Sequence, residues 1–100
     1  MQPIFQNAET RRKYGAYKSS AKLRGFEFGL EIGDFHILVN SKCAYCGEKG
    51  FGIDRMNSDD GYYKNNVVPC CKMCNKMKMD LLSDDFVNQC KKIVKYLDGL

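Results

Sequence analysis

The chain has 100 residues, with 16 basic and 12 acidic side chains, a formal charge of +4, six cysteines and no tryptophan. That length makes one small domain with a modest core, and no run approaches the length of a membrane span. No apolar leader is expected ahead of the cysteines, since the sequence opens MQPIFQNAETRRK, so thiols in a reducing compartment are favoured over a secreted disulfide framework.

Taken in order, residues 1–6 are expected to be a loose lead-in. A helix is predicted from about Ala8 to Arg24, with Tyr14, Tyr17, Ala21 and Leu23 on one side and Gly25 as its stop. The alternation in FEFGL predicts a short strand with Phe26, Phe28 and Leu30 on one face. Gly33 to Val39 reads as a second helix with Phe35, Leu38 and Val39 turned inward. A β-hairpin is predicted next, its arms Phe51–Met56 and Asn66–Val68, its connection NSDDGYYK, and Pro69 ending the second arm. A helix then starts near Cys71. The last helix is expected over 83–98, capped by Ser83, with Phe86, Cys90, Ile93, Val94 and Leu97 as an apolar stripe.

Cysteine spacing organises this plan. Cys43 and Cys46 form one Cys-x-x-Cys pair and Cys71 and Cys74 a second, with 24 residues between them. Thiolates at i and i+3 converge, and two such pairs supply the four soft ligands of a closed, structural zinc site. Cys70 and Cys90 fall outside that spacing and read as small buried apolar residues. Four bound thiolates subtract four charges and a zinc ion adds two, which leaves a net +2 from the formal +4. The remaining charge is segregated. Residues 1–25 carry six basic side chains against Glu9, residues 64–78 carry four lysines and no acid, and residues 26–63 hold three basic against seven acidic groups. Basic segments that bracket an acidic middle suggest phosphate contacts outside and a cation site within.

The order Cys-x-x-Cys-Gly, Ile-Asp-Arg, Gly-Tyr, Asn-Val-Val-Pro and Cys-x-x-Cys-Asn-x-x-Lys over residues 43–79 resembles a zinc-bound HNH endonuclease of phage type. Flanking runs at Ala21–Phe26 and Leu82–Phe86 extend the likeness. The resemblance implies an α+β fold: a zinc-stapled ββα-metal core of treble-clef type at 43–79, an extension over 1–42 and a terminal helix at 83–98. It also implies roles for single residues. Asp54 and Asn75 would hold a catalytic magnesium or manganese ion, and Asn66 would brace the hairpin loop. Arg55, Lys72, Lys76 and Lys78 would meet DNA phosphates. The family's base histidine follows the hairpin aspartate, and that position is Arg55 here. A guanidinium has no acceptor for a proton, so water activation at this step is the feature the departure puts in question.

Three functions remain open on these residues. The chain is a divalent-metal-dependent DNA endonuclease or nickase, or a catalytically inactive DNA-binding relative, or a module that binds a host or phage protein and inhibits it. His36 is the only histidine and reads as a surface or core-edge residue rather than a substitute base. No membrane partner is expected, and a viral origin implies the host cytoplasm.

Overall fold

The computed structural model describes residues 8–100, so the expected lead-in at residues 1–6 lies outside the described residues. The elements run α1 (Ala8–Leu23), α2 (Ile32–Val39), β1 (Gly52–Arg55), β2 (Val67–Cys70), α3 (Lys72–Lys78) and α4 (Ser83–Asp98). Gly25 ends α1 with φ +79°, a conformation open to glycine at little cost.

α1 and α2 pack over the hairpin around Ala21, Leu30, Phe35, Val39, Ile53, Tyr62 and Val67. Phe35 is completely buried, with Tyr14 and Tyr17 edge-on to its ring at 5.5 Å each. The expected strand at FEFGL is instead an extended lead with one parallel bridge, Phe28 to Tyr62. Its partner is a loop rather than a strand: Gly29 donates to the Tyr62 carbonyl and Tyr62 to that of Glu27, and no ladder continues. The alternation survives, since Phe26 and Phe28 pack on the core and Leu30 is buried.

β1 and β2 pair antiparallel, Gly52 with Cys70 through Arg55 with Val67. Pro69 lies inside β2 opposite Ile53 and does not end the arm. Met56 donates to Asn66, so in an alternating ladder the Ile53–Pro69 pair is a non-hydrogen-bonded one and the ring forfeits nothing there. The Pro69 carbonyl faces outward and accepts from Ala44 at 2.9 Å, tying the first cysteine turn to the sheet.

Ser83 does not cap α4. It is the first helical residue, and its hydroxyl pairs with the Tyr45 hydroxyl at 2.6 Å. The Ser83 amide donates to Met56, which docks the start of α4 on the hairpin. Of the expected stripe only Phe86 is buried; Ile93, Val94 and Leu97 are exposed. An amphipathic period shows which side of a helix is apolar, and here no other part of the described chain reaches that side.

Candidate functional site

The cysteine turns form the first half of the site. Gly47 takes φ +78° and returns the chain, its amide donating to Cys43 at 3.0 Å. The second pair opens α3, where the Cys71 sulfur accepts from the Cys74 amide at 3.3 Å. All four Sγ atoms of Cys43, Cys46, Cys71 and Cys74 lie within 4.8 Å of one another. A Zn–S bond of about 2.3 Å requires sulfurs about 3.8 Å apart in a tetrahedron, and Cys46 and Cys71 are 3.7 Å apart. The set therefore fits a metal ion such as zinc. Burial opposes ionisation of Cys43, but the amides of Cys71, Cys46 and Tyr45 outweigh it and hold that thiol down at about 6. Cys70 stays outside the quartet: burial pushes its thiol up to about 12, and it donates to the Cys71 carbonyl.

The second half is a cleft of about 610 Å³ between α1, the hairpin and α3, with Tyr17, Arg24, Asp54, Arg55, Asn75 and Asp80 among its walls. β1 delivers Asp54 and Arg55; α3 and its exit deliver Asn75 and Asp80. The structure thus brings Asp54 and Asn75 to one cavity. Asp54 is only 6% exposed. Its Oδ2 accepts from the Tyr45 hydroxyl at 2.7 Å and lies 3.3 Å from Lys78 Nζ. Among the described residues Oδ1 takes no hydrogen bond, and Asp54 is part of the cleft lining.

Lys78 is not at the surface. It is fully buried, with Nζ 3.0 Å from the Arg55 carbonyl as well as beside Asp54. The expected phosphate contact is not open to it here; it neutralises the hairpin aspartate from behind.

Arg55 is likewise held inside. Its Nη1 donates to the carbonyls of Ser58 at 2.8 Å and Asp60 at 2.9 Å, and the guanidinium lies 3.9 Å from the centre of the Phe26 ring. The residue at the position of the family's base therefore staples the hairpin loop to the lead after α1. Arg55→Ala is expected to cost about 2–3 kcal/mol, because charged hydrogen bonds to buried carbonyls and a cation–π contact go together. Chemical denaturation reads that loss, and Arg55→Lys is expected to recover little of it, since an ammonium lacks the planar fork.

Asn66 is buried in the same loop. It donates to the carbonyls of Asn57 and Gly61 and accepts from the Asn57 amide, so all its bonds are spent on loop shape. His36 is not among the residues that line the cleft and pairs with Thr10 at 2.6 Å. Lys72 and Lys76 line a shallower recess of about 270 Å³ that shares Tyr17 and Asn75 with the cleft. Lys72 lies 4.2 Å and Lys13 3.7 Å from the centre of the Phe51 ring beside it.

Three residues of the site carry no linear motif. Asp80 reaches the cleft only because α3 ends beside it. Tyr45 reaches Asp54 from the first cysteine turn. The Tyr17 hydroxyl accepts from the Ile53 amide at 3.2 Å, and its own proton has no acceptor among the described residues. Gly52 permits that approach, because a Cβ there would strike the Tyr17 hydroxyl. Burial raises the Tyr17 pKa, so the hydroxyl keeps its proton and can donate it as a hydrogen bond.

No protein-family model matches the chain. It is 42% identical over 97 residues to an uncharacterized protein of Acanthamoeba polyphaga mimivirus, covering 93% of this chain and 18% of that one. The chain thus spans under a fifth of the length of that viral relative. Among solved structures it is similar to the rare-cutting HNH restriction endonuclease PacI, a structure described for its mechanism of DNA perturbation. The TM-score is 0.69 over 99% of this chain and 90% of that chain, at 17% identity. The fold is therefore HNH-like, α+β with a four-cysteine cluster able to hold a metal ion. No helix of the described residues is long and apolar enough to cross a membrane.

Proposed function

We propose that the chain binds DNA and nicks or cleaves it with a divalent metal ion, on a hairpin–helix unit held together by zinc at Cys43, Cys46, Cys71 and Cys74. The observation that carries this reading is the cleft itself: Asp54 lines it together with exposed Asn75 and Asp80. Hard oxygen donors of this kind, few in number, suit magnesium or manganese. When bound, such an ion supplies the neutralisation of phosphate charge and the water activation that no imidazole in the cleft provides.

The chain's own residues position the substrate. Tyr17 donates its unshared proton to a phosphoryl oxygen at the junction of the two recesses. Lys72 and Lys76 on one side and Arg24 on the other set a positive rim along which a backbone can run. Arg55 and Asn66 act by keeping the loop fixed rather than by touching DNA. The viral relative is consistent with action inside an infected host cell.

Supercoiled plasmid with magnesium or manganese tests this. Wild-type protein is expected to convert it to the nicked form, and Asn75→Ala and Asp80→Ala to lower the rate by about 100-fold or more. Both side chains are exposed and make no hydrogen bond that holds the fold, so gel-shift binding should persist. Asp54→Asn is a poorer probe, because it strands the buried Lys78. A second reading rests on the locked Arg55 and the absence of an imidazole from the cleft: DNA is bound and not cut. Under it, a salt-sensitive gel shift weakened by Lys72→Ala and Lys76→Ala occurs without nicking in either metal. No binding to any DNA would sink both readings.

A further inference from the structure

Asp54 is held through a tyrosine that the last helix steadies. At the start of α4 the Ser83 hydroxyl lies 2.6 Å from that of Tyr45, and the Phe86 ring stands edge-on to the tyrosine ring at 5.3 Å. Ser83 is itself pinned, since its amide donates to the Met56 carbonyl at 2.9 Å. On the other side the first cysteine turn carries the tyrosine, with Ala44 donating to Pro69 at 2.9 Å and Gly47 to Cys43 at 3.0 Å. The direction of the protons follows from the chemistry. An ionised carboxylate only accepts, so the 2.7 Å contact to Asp54 Oδ2 uses the one proton of the tyrosine hydroxyl. Ser83 must then donate to Tyr45, and the result is a directed relay, Ser83 to Tyr45 to Asp54.

We propose that Tyr45 is a positioning residue of the cleft: its hydroxyl, steadied by Ser83, sets the rotation of the Asp54 carboxylate and keeps Oδ1 for the divalent ion. This rests on the metal-binding reading above and names a residue on which that binding depends. The reason is angular. The terminal torsion of an aspartate is broad, so burial alone does not choose which oxygen meets a ligand. Lys78 also lies against Oδ2, at 3.3 Å. An ammonium, however, is a compact charge with three rotatable donors, and it follows the carboxylate as it turns. The phenol hydroxyl, on a ring held by Phe86, fixes one direction. Both donors fall on the same oxygen, and among the described residues Oδ1 takes no hydrogen bond. Outer partners of this kind hold metal-ligating carboxylates in place and are worth about 10–100-fold in metal affinity. Neither Tyr45 nor Ser83 lines the cleft, so the start of α4 acts on it at one remove.

Manganese(II) binding to the zinc-loaded chain, followed by electron paramagnetic resonance without DNA, tests this apart from cleavage. Tyr45→Phe keeps the ring and its contact with Phe86 and removes only the hydroxyl. Its dissociation constant for manganese is expected to rise about tenfold or more, with zinc content and far-ultraviolet circular dichroism unchanged. Ser83→Ala is expected to give a smaller rise, because Tyr45 keeps its bond to Asp54 and loses only the donor behind it. A hydroxyl that merely braced the fold would lower the melting temperature and leave manganese affinity as in wild type, and that result overturns the assignment. Should Tyr45→Phe fail to fold, unchanged affinity in Ser83→Ala overturns it instead. Failure of the underlying reading looks different. Wild type then binds no manganese, or Asn75→Ala binds it equally well, and the metal site falls together with the part of Tyr45 in it.

Discussion

Lys78→Met is expected to destabilise the domain by about 3–5 kcal/mol while keeping most of the side-chain volume. Removing one partner of a buried ion pair leaves the other uncompensated at that order of cost. The pair is Lys78 with Asp54, at 3.3 Å, with 0% and 6% of the side chains exposed. The Arg55 carbonyl loses its bond from Nζ as well. Domains of this size have only about 5–15 kcal/mol in total, so the change should lower the urea midpoint strongly. The double variant Asp54→Asn/Lys78→Met is expected to recover part of the loss, because no buried charge then lacks a partner. Equal stability of wild type and Lys78→Met would mean that the lysine is not in the interior.

Loss of the metal from the cysteine quartet is expected to be the larger effect. Structural zinc binding contributes about 10–16 kcal/mol in small peptides at neutral pH, more than a domain this small holds in reserve. The physical route is short. Cys71 caps the start of α3 and Cys70 ends β2, so loosening the quartet frees the strand that pairs with Ile53 in the main core. A strong chelator, or Cys74→Ser, is therefore expected to abolish the cooperative melting transition and, with it, the DNA binding and nicking proposed above. Survival of a native melting curve in excess chelator would contradict this.

The metal quartet was legible because its geometry is local: two i, i+3 pairs converge wherever the chain lets them meet. The long helices were legible from period and from Gly25. Pro69 was misplaced because a proline bars only one side of a strand, and in a two-stranded sheet that side can face away. Lys78 reads as a phosphate contact in the sequence because its burial depends on Asp54, 24 residues earlier, turning toward it. Arg55 looked like a free guanidinium for the same reason, since the carbonyls of Ser58 and Asp60 approach it only when the loop is folded. Asp80 and the Tyr17 hydroxyl join the cleft through packing of α1 and α3, which leaves no mark at fixed spacing. The stripe on α4 was visible in the sequence, but a pattern does not say whether its own domain covers it.

Elemental analysis of the purified chain, taken with a count of reactive thiols, bears most directly on the four-sulfur staple from which fold and cleft both follow. One zinc per chain surviving gel filtration is the predicted result, with four thiols protected until the metal is removed. A folded chain with no bound metal, or with Cys43, Cys46, Cys71 and Cys74 oxidised to disulfides, would contradict it.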